Sequence, residues 1–236
     1  MNIPPVAAIA APLLAAFLAS SAQVAHAAEG TDPPGPERWE TDIAAFDEQN
    51  SAGAVPSGGI VFIGSSSIRR WDLGESWPGL DAVNRGFGGS LLTDTVHFLE
   101  RIAGPLAPRA LVVYAGDNDF SRGSSIGEVV ASFEALAAKR RTAFPEVPLV
   151  FVAIKPSVKR WELWPAMVEA NAAIAALCGE DPKLHFADIA APMLDGAEGA
   201  PAEKWFAADG LHLSPEGYEL WASVVSQALR EAGAVQ

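Results

Sequence analysis

The sequence predicts an α/β fold: a three-layer α/β/α sandwich around a five-stranded parallel sheet. Three observations predict it. Five short apolar runs punctuate residues 60–187, and helix-period patterns fall between them. Of the 236 residues, 50% are hydrophobic and only 19% charged, enough apolar side chain for one sizeable core. Continuous apolar strands separated by crossover helices belong to a parallel sheet covered on both faces.

The elements follow in order. In RWETDIAAFDEQN, Trp39, Ile43 and Phe46 recur at helical spacing, so an amphipathic helix precedes the sheet. The predicted strands are residues 60–63 (IVFI), 80–84 (LDAVN), 110–115 (ALVVYA), 149–154 (LVFVAI) and 184–187 (LHFA). Between them, Leu92, Val96, Leu99 and Ala103 line one helix face, and Ile126, Val129, Val130, Phe133 and Leu136 another. A third helix is expected over 164–178. The last opens at Ser214-Pro215, an N-cap followed by proline at the first helical position. This is the doubly wound, flavodoxin-like arrangement, in which ligands bind outside the carboxyl ends of the strands.

Residues 1–28 differ from the rest. They hold no Asp, Glu, Lys or Arg; residues 6–19 are apolar, and Ala25-His26-Ala27 has the small-x-small pattern of a cleavage site. The segment reads as a secretory signal peptide, and the apolar run is shorter than the ~20 residues a spanning helix needs. Residues 29–36 (EGTDPPGP) read as a linker, and 37–236 as the functional domain. The expectation is an exported protein, periplasmic or secreted, with no stable membrane insertion after cleavage.

A net charge of −13 and the lack of a basic patch argue against nucleic acid as a partner. The one cysteine, Cys178, permits neither an internal disulfide nor a thiolate zinc site, and its helical apolar context makes it a core residue.

The strand-end loops carry the chemistry. They are Gly64-Ser65-Ser66-Ser67, then NRGFGGS (84–90), GDND (116–119) and DGLHLS (209–214). Acyl transfer needs a nucleophile, a base, a group that orients the base, and donors for an oxyanion. A serine opening a helix after a strand supplies the first. His212 supplies the base, and Asp209, three residues earlier, reaches its second ring nitrogen. Gly89 offers an unobstructed backbone N–H, and Asn118 an amide N–H. His97 and His185 lie inside a helix and a strand and read as structural.

Taken in order, these blocks resemble the SGNH hydrolases, the GDSL-type esterase/lipase family, over nearly the whole mature chain. Gly64-Ser65-Ser66 falls on the Gly-x-Ser block, although Ser65 stands where that family more often has Asp. Residues 84–89 match the second block, Gly116-Asp117-Asn118-Asp119 the third and Asp209-Gly210-Leu211-His212 the closing Asp-x-x-His. The resemblance implies a serine esterase acting on short acyl or acetyl esters, carbohydrate esters among them. It implies Ser66, His212 and Asp209 as triad, and the Ser66 and Gly89 N–H groups with Asn118 as oxyanion hole. It implies an acyl-enzyme intermediate and no cofactor or metal. A lysophospholipase or thioesterase of the same family, or a non-catalytic periplasmic carbohydrate-binding module, are the alternatives.

Other patterns compete. Gly123-Ser124-Ser125-Ile126-Gly127 spells a nucleophile elbow but does not directly follow a strand. Asp117, Asp119 and Ser121 with Glu128 imitate a calcium loop, with the turn glycine one place late. Gly86-Phe87-Gly88 lacks the third glycine of a dinucleotide fingerprint. Trp161, Trp164 and Trp205 are either core or a stacking surface for substrate. Arg160 reads as a solvated arginine or a contact for a polar head group.

Overall fold

The computed structural model describes residues 35–236. The predicted signal peptide and residues 29–34 of the linker lie outside the described residues. No helix among the described residues is long and apolar enough to cross a membrane.

A 3-10 turn (Pro36–Trp39) leads into α1 (Glu40–Ser51). The chain continues through β1 (Ile60–Gly64), α2 (Ser66–Arg69), α3 (Leu73–Ser76), β2 (Ala82–Gly86) and α4 (Leu92–Ala103). Next come β3 (Ala110–Tyr114), α5 (Asp117–Ser121), α6 (Ile126–Ala143) and β4 (Leu149–Val152). The last elements are α7 (Trp164–Glu180), β5 (Leu184–Ala187), α8 (Ala190–Met193) and α9 (Pro215–Glu231). The five strands form one parallel sheet in the order β2-β1-β3-β4-β5. The α/β/α sandwich expected from the sequence is what the chain forms.

Alternation along the strands divides the core. Val61, Ile63, Leu111, Val113, Leu149 and Phe151 face one side, packed with Ile43 of α1, Leu99 of α4, Phe133 of α6 and Ile174 of α7. Ile60, Phe62, Val112, Tyr114, Val150 and Val152 face the other, with Trp71, Trp221 and Val225. Side chains i and i+2 share a face because a strand repeats every two residues. Each fully buried Phe, Leu or Ile contributes about 1.5–3 kcal/mol, so both helical layers are held by burial rather than by helix propensity.

The first strand ends one residue later and the third one residue earlier than expected, and the other two that differ do so by two residues. The second strand is Ala82–Gly86, two residues later than 80–84. Its apolar pattern is broken by Arg85, which is nonetheless buried. The guanidinium donates to Gln49 Oε1 at 2.6 Å and Asn50 Oδ1 at 2.5 Å of α1 and lies over the Phe46 ring. The fourth strand ends at Val152, not 154. Beyond it the Ile154 N–H and C=O turn to the Asn171 side chain of α7, both at 2.8 Å, instead of to a neighbouring strand.

The strand order reverses direction between β1 and β3, and a crevice at the carboxyl ends of such a pair is where doubly wound sheets bind ligands. Ser66 follows β1 and Asn118 follows β3.

Candidate active site

Gly64 ends β1 in a conformation with φ +142°, and a Cβ there would fall 1.9 Å from the Tyr114 carbonyl oxygen. Only glycine permits this approach, and it lets the Ser65 N–H donate to that same carbonyl at 3.1 Å. The chain then turns into α2, and the three serines part company. Ser65 and Ser67 are buried. The Ser65 hydroxyl has no partner among the described residues, and Ser67 Oγ receives Lys155 Nζ at 3.4 Å. Ser66 alone meets an imidazole, with His212 Nε2 3.1 Å from its Oγ.

His212 sits in a tight loop before α9. The Ala207 N–H donates to the His212 carbonyl at 2.8 Å, and Phe206 pairs with Leu213 as an antiparallel bridge. Inside the loop Asp209 Oδ1 accepts from the N–H groups of Leu211 (3.0 Å) and His212 (2.9 Å). Its Oδ2 lies 2.5 Å from His212 Nδ1. The bond to His212, helped by the two backbone donors, holds the Asp209 carboxyl well below the usual carboxylate range. An ionised carboxylate only accepts, so Nδ1 carries the proton and Nε2 is left to accept from Ser66 Oγ.

The second block lies beside Ser66. A Cβ on Gly88 would stand 3.8 Å from Ser66 Cβ, and Gly89 adopts φ +87°. This loop is clamped from three sides. Asn118 Nδ2 donates to the Ser90 carbonyl at 3.0 Å. The buried Asp119 carboxylate receives the Leu92 N–H, 3.1 Å from each oxygen. Asp94 Oδ2 gathers the Leu91 N–H (2.8 Å), Trp39 Nε1 (3.1 Å) and the Arg38 guanidinium. The Trp39 ring packs edge-on against Phe87 and lies against Gly89, 3.5 Å from where a Cβ would be.

Beneath these loops is a buried ionic cluster that sequence reasoning missed. Asp117 Oδ2 accepts from Lys155 Nζ at 2.7 Å and from Arg160 Nη1 at 2.9 Å. Lys155 also donates to the Tyr114 hydroxyl at 2.9 Å. Burial alone would raise the Asp117 carboxyl, but the two cations hold it below its ordinary value. Burial pushes the Tyr114 phenol well above its own. Arg160 is therefore not a solvated arginine: its side chain is 15% exposed, and Nη2 donates to Asn118 Oδ1 at 3.0 Å. One signal was available in the sequence. Lys155 ends the apolar run of β4, at the sheet edge where this fold places ligands.

The competing patterns find structural uses. Ser125 caps α6, exchanging hydrogen bonds with Glu128, whose carboxyl is lowered by them. Asp117 and Asp119 are spent on Lys155, Arg160 and Leu92 as described. Trp161 and Trp164 stack at 6.2 Å, and Trp205 Nε1 donates to Asp195 at 2.7 Å under the Lys204 ammonium. His185 is half-buried on β5, and burial lowers its pKa. Cys178 is buried, which pushes its thiol up to about 12. A cleft of about 550 Å³ between α3 and α9 is lined by Trp71, Tyr218 and Leu213 among others, but by none of Ser66, Asp209 and His212.

Residues 62–220 match the GDSL-like Lipase/Acylhydrolase family. No protein of curated function matches the chain. Among solved structures, one from Streptococcus pneumonia described as a platelet activating factor superposes with a TM-score of 0.72 at 22% identity, over 82% of this chain and 93% of that one. A GDSL-like lipase from Bacteroides thetaiotaomicron gives 0.67 at 20%, over 80% and 98%. An acetylxylan esterase from Geobacillus stearothermophilus gives 0.58 at 16%, over 76% and 96%. At such identities these structures share the fold, and the family match adds the lineage. Covered over well more than half its length, the chain belongs to the GDSL-like lipase/acylhydrolase family.

Proposed function

We propose that this acylhydrolase is a serine esterase that removes short acyl groups, acetyl foremost, from small esters or decorated carbohydrates. One observation carries the reading: Ser66 Oγ, the His212 ring and the Asp209 carboxylate form a hydrogen-bonded line, 3.1 Å and 2.5 Å, at the carboxyl edge of the sheet. The half-buried rim around Ser66 and His212 suits a substrate presented from solvent. The likeness to an acetylxylan esterase favours acetylated carbohydrate as substrate class. The leader-like residues 1–28 favour an exported enzyme that meets such substrates outside the cytoplasm.

In the proposed reaction Ser66 Oγ attacks the ester carbonyl as its proton passes to His212 Nε2. Asp209 stabilises the imidazolium. The carbonyl oxygen, now an anion, takes hydrogen bonds from the Ser66 and Gly89 N–H groups and from Asn118 Nδ2. Collapse breaks the C–O bond, and the alcohol leaves with the proton from His212. A water then gives its proton to His212 and attacks the acyl-Ser66 carbonyl, releasing the acid and restoring the serine hydroxyl.

The test is labelling with a fluorophosphonate probe together with turnover of p-nitrophenyl acetate. Intact protein should react in both assays and Ser66→Ala in neither. A folded protein that takes no label beside a reactive control esterase would favour the non-catalytic carbohydrate binder. A panel of acyl lengths, acetylated sugars, thioesters and lysophospholipids then separates the esterase from its relatives.

A further inference from the structure

We propose that Arg160 is a positioning residue that locks the Asn118 carboxamide with its NH₂ group toward the oxyanion. The inference rests on the esterase reading and names a part it lacks. An asparagine side chain can turn end for end at little steric cost, because its oxygen and nitrogen have nearly the same size. Turned the wrong way, Asn118 would present a carbonyl oxygen to a developing negative charge and work against the reaction. Something must therefore fix its sense.

Two contacts do so together. On one side Nδ2 donates to the Ser90 carbonyl at 3.0 Å. On the other, Oδ1 accepts from Arg160 Nη2 at 3.0 Å. In the reversed sense the amide N–H would face the guanidinium donors and the amide oxygen would face the Ser90 carbonyl. Both contacts would become repulsive. In the observed sense one hydrogen of Nδ2 is used by Ser90 and the other remains for the substrate oxyanion. The cation on Oδ1 also draws electron density from the amide and strengthens that donor, as linked hydrogen bonds polarise one another.

Arg160 can hold this pose because it is itself held. Nη1 donates to Asp117 Oδ2 at 2.9 Å, and the same oxygen takes Lys155 Nζ at 2.7 Å. The Asp117 and Lys155 side chains are 6% and 1% exposed, so the anchor is screened little by solvent. A planar guanidinium reaches a carboxylate and an amide oxygen at once through two nitrogens at fixed separation, which a lysine ammonium does not reproduce. Arg160 lies in the 3-10 segment Val158–Leu163, whose Lys159 N–H donates to the Gly210 carbonyl at 3.0 Å. The segment that carries the orienting residue is thus tied, through its neighbour Lys159, by one hydrogen bond to the loop that carries the base.

The experiment is a double-mutant cycle on p-nitrophenyl acetate, with thermal melts to establish folding. Arg160→Lys keeps a cation for Asp117 and loses the fork; Arg160→Ala removes both. Each should lower kcat roughly 10- to 100-fold, the cost of small misplacements in a catalytic site, with KM little moved. In an Asn118→Ala background, itself lowered roughly 10²–10³-fold, the same changes at 160 should have almost no further effect. The proposal is overturned if folded Arg160→Lys keeps wild-type kcat. It is also overturned if the Arg160 and Asn118 losses multiply in full, or if KM rises while kcat stays, which would make Arg160 a substrate contact. Intact protein without turnover would sink the esterase reading itself, an outcome distinct from all of these.

Discussion

Ser66 Oγ and His212 Nε2 stand 3.1 Å apart although 146 residues separate them in the chain. Ser65 and Ser67, its immediate neighbours, point into the protein. Ser65→Ala is therefore expected to keep near-wild-type labelling and turnover, since its hydroxyl bonds to nothing described and does not cap α2. Loss of probe labelling in a folded Ser65→Ala protein would move the nucleophile by one residue.

Asp209 does two jobs with two oxygens: Oδ1 shapes the loop and Oδ2 sets the imidazole tautomer. In Asp209→Asn an amide can turn its NH₂ toward Nδ1 and drive the proton to Nε2, where it faces Ser66. We expect kcat to fall on the order of 10⁴-fold, as when a triad aspartate becomes asparagine. NMR of the ring nitrogens reports the tautomer directly. An unchanged tautomer with unchanged kcat would contradict this role.

Asp119 predicts a pH dependence of stability. Burial pushes its carboxyl up from 3.8 to about 6, against the Leu92 N–H and with Asp117 and Asp94 adding repulsion. Between those values the folded state binds the proton more tightly than the unfolded one. This contribution to stability therefore falls as pH rises from about 4 to 6 and stays at its lowest above that, a change of roughly 3 kcal/mol. Asp119→Asn keeps an acceptor for Leu92 and does not ionise. Urea denaturation should find the variant more stable than wild type at pH 8 and the two converging near pH 4. A difference independent of pH would refute the argument. Asp209 and Asp117, whose pKa values are lowered, act in the opposite sense in both proteins and cancel in the comparison.

Much of the site could be read from the sequence because its polar groups stand where apolar strands end. IVFI runs into Gly64 and Ser66, and ALVVYA into Asn118; the sheet does the rest. The second strand was misplaced because Arg85 looks like a loop residue until Gln49, Asn50 and Phe46 of α1 are folded over it. Arg160 looks solvated, and Lys155 carries no signal of its partner, for a related reason. Asp117, the carboxylate they share, lies 38 and 43 residues away after another strand, and a single sequence offers no pattern that joins them. Asp117 invited a calcium reading for the same cause: a carboxylate's use depends on which cation the fold brings to it.

The Trp39 ring against Gly89, and Asp94 gathering Arg38, Trp39 and Leu91, join the front of the chain to the loop after β2. Arg38 and Trp39 precede the family match, which spans residues 62–220, whereas Gly89, Leu91 and Asp94 lie within it. A chain cut at residue 62 would keep Ser66, Asp209 and His212 and lose Arg38 and Trp39, the brace on the loop that carries Gly89. The stretch that holds this loop in place is thus wider than the stretch that identifies the family.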